Sequence, residues 1–291
     1  MARSETLGTV HEVTLPAGRI RYHQRGQGPP ILFVHGLLVN ADLWRVVVPP
    51  VAEAGYRCIA PDWPLGAHQL AVPDADLSPP GVAALVAAFL ERLDLADVTV
   101  VANDTGGAIT QLLMTNHPER VGGVVLTPSD SLERFFPPVF APLPTLARIP
   151  GSMWLLVQLL RVRALQRLPF TFGWVAKRPI PPEVVDSYLL PSRRDAAVRQ
   201  DLRRFLRGVH RRYTLAAARA LPQFTKPVLL AWAEEDRLFP LQLARRLADL
   251  LPHSTMVTIP DSYTFVPEDQ PQLLARLVVE FARTPATHAT T

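Results

Sequence analysis

The sequence predicts an α/β fold in which a mostly parallel sheet is covered by helices on both faces and interrupted by one helical insertion. Three observations predict it. Short apolar runs alternate with stretches of helical spacing over more than 100 residues, the pattern of strands buried on both faces. Within 95–107 an apolar, β-branched run stops abruptly at Asp104, followed by Thr105-Gly106-Gly107 and a helical pattern, Ala108, Ile109, Leu112 and Leu113. This reads as strand, tight turn, helix, with small residues at Ala102 and Gly106 where the backbones pass closely. At residue 131 the alternation gives way to prolines and helical segments that last to about residue 222, after which Pro227–Trp232 resumes the sheet.

In chain order, residues 1–8 are polar and read as loose. Val10–Leu15 and Arg19–Gln24 form two short strands around the hairpin signal Pro16-Ala17-Gly18. Pro30–Val34 is a continuous apolar strand ending in His35-Gly36-Leu37-Leu38. A helix through Ala41–Ala52, bent at Pro49-Pro50, precedes a strand Arg57–Ala60 and the loop from Pro61 to His68. A proline-bearing loop over 69–80 leads to a helix Gly81–Leu93 whose apolar residues recur at helical spacing. After the strand that stops at Asp104 come a helix over 106–116 and a strand Val121–Leu126 that ends at Thr127-Pro128-Ser129-Asp130. The insertion begins with Phe135-Phe136-Pro137-Pro138 and contains an apolar helix Met153–Leu160. Beyond it lie a strand to Trp232, a helix over 241–251, a strand Thr255–Ile259 and a closing helix Gln270–Ala282; the tail 284–291 reads as flexible.

Composition bounds the function. In 291 residues, 48 % are apolar and 19 % charged, which suits a compact enzyme-sized body. The single cysteine, Cys58, lies in an apolar stretch and reads as a buried hydrophobe, so no disulfide can form within the chain. No signal-like n-region opens the sequence, and no apolar run approaches the roughly 18 residues of a membrane span, so a cytoplasmic protein with no membrane contact is expected. The formal charge of +4 is unevenly placed: residues 161–212 hold thirteen Lys or Arg against four acids, a net of +9, leaving about −5 elsewhere. Without interleaved aromatic residues this reads as a solvated helix face or a basic mouth for anionic substrates, and no nucleic-acid partner is expected.

Asp104 stands where open α/β sheets place their ligands, at the carboxyl end of a parallel strand. Ala102-Asn103-Asp104-Thr105-Gly106 has the form small-x-nucleophile-x-Gly and resembles the nucleophile elbow of the α/β-hydrolase family. An aspartate there is similar to the branch of haloalkane dehalogenases, fluoroacetate dehalogenases and epoxide hydrolases, in which a carboxylate attacks a saturated carbon and forms an ester. The resemblance covers residues 9–283. It implies an eight-stranded sheet, a core of 9–130 and 223–283, a helical cap over 131–222, and flexible termini at 1–8 and 284–291. It also implies a small organic substrate, no cofactor and no metal; oligomeric state is not legible.

The resemblance assigns roles to residues. The N–H groups of Leu37 and Thr105 form the anion hole, Asp236 in Glu234-Glu235-Asp236 is the supporting acid, and His35 is a structural hydrogen-bonder of the His-Gly turn. His35, Trp63, Asn103 and Tyr263 are candidate substrate contacts near the site. In the cap, Trp154, Phe170, Phe172 and Trp174 are candidate pocket walls or cap core, and Tyr188 and Tyr213 invite comparison with the paired cap tyrosines of epoxide hydrolases. Thr264, between Tyr263 and Phe265, occupies the family's histidine position. A carboxylate needs no base to attack carbon, but its ester must be cleaved by a deprotonated water, and a threonine hydroxyl cannot take that proton. Three resolutions follow: His68 supplies a replacement base, Asp104 and Asp236 act as an acid/base pair, or the site binds without turnover. Thr105 in place of the usual tryptophan, and Leu38 in place of the usual proline, leave the substrate open among carbon–halogen, epoxide and ester hydrolysis. A lyase or isomerase is the alternative to hydrolysis, beside a catalytically inactive binder.

Overall fold

The computed structural model describes residues 4–283. Thr9–Leu15 (β1) and Gly18–Arg25 (β2) form an antiparallel hairpin with Thr9 opposite Gln24 and Leu15 opposite Gly18. The remaining strands are Pro30–Val34 (β3), Arg57–Pro61 (β4), Val98–Asp104 (β5), Val121–Ser129 (β6), Val228–Ala233 (β7) and Ser254–Ile259 (β8). They order the sheet as β1-β2-β4-β3-β5-β6-β7-β8, antiparallel up to the β2–β4 pair and parallel from there on. This is the eight-stranded, mostly parallel sheet expected. From β3 the chain steps one way to β4 and then returns past β3 to β5. The strand order therefore reverses between β3 and β5, and the crevice beyond their carboxyl ends is where a ligand site forms in such sheets.

Helices cover the sheet. Val48–Glu53 (α1) precedes β4, Pro79–Arg92 (α2) precedes β5, and Thr105–Asn116 (α3) follows it. The expected single helix over 41–52 is instead a short 3-10 turn, Ala41–Trp44, and then α1. The side chain of Asn40 caps the turn by accepting the N–H of Asp42, and Pro49-Pro50 fall in the first turn of α1 rather than at a bend. A proline is harmless there, because the N–H it lacks would have had no partner within the helix. Pro79-Pro80 open α2 in the same way, behind Ser78, whose hydroxyl accepts the N–H of Gly81. Residues 4–8 are not loose: Glu5–Leu7 form a turn that buries Leu7. The tail 284–291 lies outside the described residues.

Between β6 and β7 the chain forms Leu143–Leu146 (α4), Ser152–Leu159 (α5), Pro182–Arg194 (α6), Ala196–Gly208 (α7) and Arg212–Ala220 (α8). Leu241–Ala248 (α9), Val266–Asp269 (α10) and Pro271–Arg283 (α11) complete the fold, with α11 packed on α1 and α2 on α3. Polar bonds fasten α6 and the irregular stretch before it to the core. Ser187 donates to Asp42, and Asn40 donates to the carbonyl of Ser187. The N–H groups of Lys177 and Arg178 reach the buried carboxylate of Asp269. Part of the basic run is spent in ion pairs: Arg163 with Asp186, Arg178 with Asp261, and Lys177 with Glu235 and Asp261.

Candidate active site

β5 passes straight into α3 through Asp104, whose backbone lies at φ 56°, ψ −131°. A side chain other than glycine rarely adopts positive φ, and the conformation persists because its surroundings over-determine it. Two glycines make room. A Cβ at Gly106 would collide with the carbonyl oxygens of Val34 and His35, and one at Gly36 would occupy the space of the Asp104 carboxyl itself. The turn after β3 thus lies directly against the elbow. The Leu37 N–H donates to Asp104 Oδ2 at 3.1 Å, and the Thr105 N–H also supports the carboxylate.

Asp104 sits at the floor of a pocket of about 650 Å³, mouth included. Its walls are Leu37, Leu38, Phe136, Leu156, Phe172, Phe265 and other apolar side chains, and its polar lining is Asp104, Thr105 and Thr171. Among the described residues no lysine, arginine or histidine lines it. Burial pushes the Asp104 carboxyl up to about 6, against the pull of the two N–H groups and the Thr105 hydroxyl.

Two further buried carboxyls belong to this site. Asp236 lies just beyond β7, and its Oδ1 accepts the N–H groups of Leu238 at 2.7 Å and Phe239 at 2.6 Å. Burial and, to a lesser degree, the Asp104 charge push it up to about 7. The Thr264 hydroxyl lies beside it, yet among the described residues neither that oxygen nor Asp236 Oδ2 has a partner in hydrogen-bond geometry. Asp130, at the end of β6, accepts the Thr105 hydroxyl at 3.0 Å, and burial with the nearby Asp104 charge holds its carboxyl well above the usual range. Three carboxyls with no cation among the pocket walls favour a single anion. Asp104 and Asp236 each draw on two backbone N–H groups, but burial raises Asp104 less, to about 6 against about 7, so Asp104 is the first to ionise.

A pattern for the alpha/beta hydrolase family matches residues 31–277. The chain belongs to that family. It is 28% identical over 284 residues to an uncharacterized hydrolase, YugF, of Bacillus subtilis, covering 96% of this chain and 100% of that one. Haloalkane dehalogenase 2 of Mycobacterium tuberculosis is 27% identical over 269 residues, covering 90% of this chain and 91% of the relative. Among solved structures, the haloalkane dehalogenase DatA of Agrobacterium tumefaciens superposes with a TM-score of 0.79 at 24% identity, over 96% of this chain and 98% of the other. At that identity the likeness is one of fold.

In this alpha/beta hydrolase several expected site residues stand elsewhere. His68 does not line the pocket: its Nδ1 accepts the Gly66 N–H of its own loop, and its Nε2 meets Asp201 of α7 at 3.2 Å, so both ring nitrogens are engaged. It therefore supplies no replacement base at Asp104. His35 accepts the Trp63 N–H at Nε2, which leaves the proton on Nδ1 for the carbonyl of Gly36 at 2.9 Å; it braces the turn and is not a substrate contact. Trp63 is buried, with its indole N–H on the Phe33 carbonyl. Asn103 points beneath the pocket and donates to Thr127 and to the Thr264 carbonyl, tying the Thr264 loop to β5.

The cap aromatics divide. Phe170 and Phe172 line the pocket, whereas Trp174 packs on the core away from it and Trp154 stands half exposed on the outside. Tyr263 is held behind the pocket, its ring covered by the Lys177 and Arg237 cations. Tyr213 stacks under its neighbour Arg212. Tyr188 is buried and donates to Glu268 at 3.1 Å, and Arg45 grips the same Glu268 with two bonds of 2.6 and 2.7 Å. Tyr188 thus fastens α6 to the turn at Glu268. Tyr188→Phe is expected to lower stability by about 1 kcal/mol, read from a denaturation midpoint, while ligand affinity in the pocket stays unchanged. A loss of ligand affinity without loss of stability would return Tyr188 to the site.

Sequence reasoning missed Asp130. Its signal was an acid directly after the strand that pairs with β5. Among the described residues no group of three or more His, Cys, Asp or Glu is placed to hold a metal ion. Cys58 is buried and its thiol is pushed up to about 12, so it stays protonated.

Proposed function

We propose that this alpha/beta hydrolase uses Asp104 as a nucleophile on an uncharged, apolar substrate held under the cap. The observation that carries the reading is the one carboxylate that lines a mostly apolar chamber, held there by backbone N–H groups. One carboxylate oxygen is held by Leu37 while the group attacks an electrophilic carbon, and the leaving group departs with the bonding electron pair. A carbon–halogen bond is favoured over an epoxide, because a halide leaves as a stable anion whereas an epoxide oxygen needs a donor, and Tyr188 and Tyr213 do not line the chamber. The likeness to haloalkane dehalogenases agrees with this choice. Water must then add to the ester carbonyl, releasing the alcohol and restoring the carboxylate. With Thr264 where an imidazole would take that proton, Asp236 is the one carboxyl beside it, and the second step is slow.

Intact-mass spectrometry tests the reading. A long-chain bromoalkane should leave wild-type protein carrying one alkyl group on Asp104, with bromide released in equal amount, and Asp104→Asn should carry none. Alkylation of the Asn variant to the same extent would discard the nucleophile. Thr264 also favours a second reading, a reaction that needs no water activation. Its mark is product formation without incorporation of labelled solvent oxygen.

A further inference from the structure

The outer face of the cap is built for something other than water. Of the large hydrophobic residues that stand exposed among the described residues, all but Val10 fall within 146–170, each between 41% and 59% exposed. Leu146 and Ile149 lie ahead of α5, Trp154, Leu155 and Leu159 are on it, and Val162 and Phe170 follow. α5 reads Ser-Met-Trp-Leu-Leu-Val-Gln-Leu, apolar around nearly its whole circumference. Met153 and Val157 turn inward and Leu156 reaches the pocket, which leaves Trp154, Leu155 and Leu159 outside. A helix apolar on every side is ordinarily enclosed, in a core or by lipid.

Charge says what covers it. From Phe135 to Pro182 the sequence contains no acid and six cations. Arg163, Lys177 and Arg178 are engaged by acids from elsewhere. Arg148, Arg161 and Arg167 are exposed and have no carboxylate partner among the described residues, and Arg193 of α6 stands near enough to Arg161 for the two charges to repel. Two copies of this face pressed together would bring these unpaired cations against one another, which opposes self-association. A surface that is apolar inside and anionic at its edge satisfies both halves of the patch.

We propose that the cap docks on an anionic lipid surface, with Trp154, Leu155 and Leu159 entering the headgroup boundary and Arg148, Arg161 and Arg167 meeting the headgroups. This revises the expectation of no membrane contact. It involves no span, since no helix among the described residues is long and apolar enough to cross a bilayer. Phe170, which lines the pocket and is more than half exposed, places the pocket mouth beside the same face.

The test is co-sedimentation of the full chain with vesicles of phosphatidylcholine alone and of phosphatidylcholine mixed with phosphatidylserine. Binding to the mixed vesicles is expected, weakening as salt is raised. The pair Arg161→Glu and Arg167→Glu should weaken it by on the order of 30-fold or more, since each cation near such a surface contributes about a factor of five. That pair leaves the apolar face intact and so separates charge from folding. Brominated lipids should quench tryptophan fluorescence in wild type and much less in Trp154→Phe, because Trp44, Trp63 and Trp232 are fully buried and Trp174 is partly buried against the core. Absence of binding, equal binding to both vesicles, or equal binding by the arginine pair would overturn the proposal. So would a dimer in lipid-free buffer, seen by light scattering and abolished by Trp154→Asp with Leu159→Asp, which would assign the face to a second copy.

Discussion

Thr264→His is expected to raise steady-state hydrolysis of a bromoalkane by on the order of 10²- to 10⁴-fold, with little change in the rate at which Asp104 is alkylated. Thr264 lies beside Asp236, whose Oδ2 accepts no hydrogen bond among the described residues. An imidazole at that position can donate from one nitrogen to Oδ2, which fixes its tautomer, and present the other to water. The extra volume in a fully buried position costs about 1 to 3 kcal/mol of stability, so Thr264→Gly supplemented with free imidazole serves as the companion experiment. Stopped-flow bromide release and steady-state alcohol production separate the two steps. If the histidine variant alkylates normally and releases alcohol no faster, the slow step lies elsewhere and the account of Thr264 fails.

Asp104→Asn should stabilise the protein at pH 8 by about 2 to 3 kcal/mol, and the gain should vanish near pH 4. Burial raises this carboxyl to about 6 in the folded chain, above the unfolded value of about 3.9. The folded state therefore binds the extra proton between these values, and stability present below the lower one is lost as pH rises through the upper one. An amide has no such titration, so the difference between variant and wild type grows across the same window. Urea denaturation at pH 4, 6 and 8 measures it. A difference independent of pH would mean that Asp104 is not the strained, partly desolvated anion described above. The same pH window should govern alkylation, which needs the ionised form and so rises through pH 6.

The elbow was legible because every local signal agreed: a β-branched run, an acid, two glycines and a helical pattern within the 19 residues 95–113, each required by a strand that turns sharply into a helix. The alternation that predicts the sheet was equally plain, since strands buried on both faces must be apolar throughout. The helical insertion between β6 and β7 was legible as a change of texture and no further. Whether Trp154 faces outward and Phe172 inward depends on how short helices broken by prolines lie on one another, which no spacing rule contains. Tyr188 and His68 looked available for chemistry because their partners, Glu268 and Asp201, are distant in sequence. Asp130 was passed over for a related reason. The β5–β6 register shifts between Ala102 and Asp104, setting Asp104 opposite Ser129, and only that lateral pairing brings the next residue alongside the Thr105 hydroxyl.

The fastenings of the cap determine where traffic can pass. α6 is bound to the turn at 40–42 and to Glu268, α7 to the loop at His68, and residues 175–178 to the 265–269 turn through the Phe265 N–H on Val175 and the Asp269 carboxylate. α4 and α5 have a lighter hold, the guanidinium of Arg203 on the carbonyls of Ala147 and Arg148. The wall that contains Leu143, Leu156 and Phe170 is thus the most lightly bolted side of the chamber around Asp104.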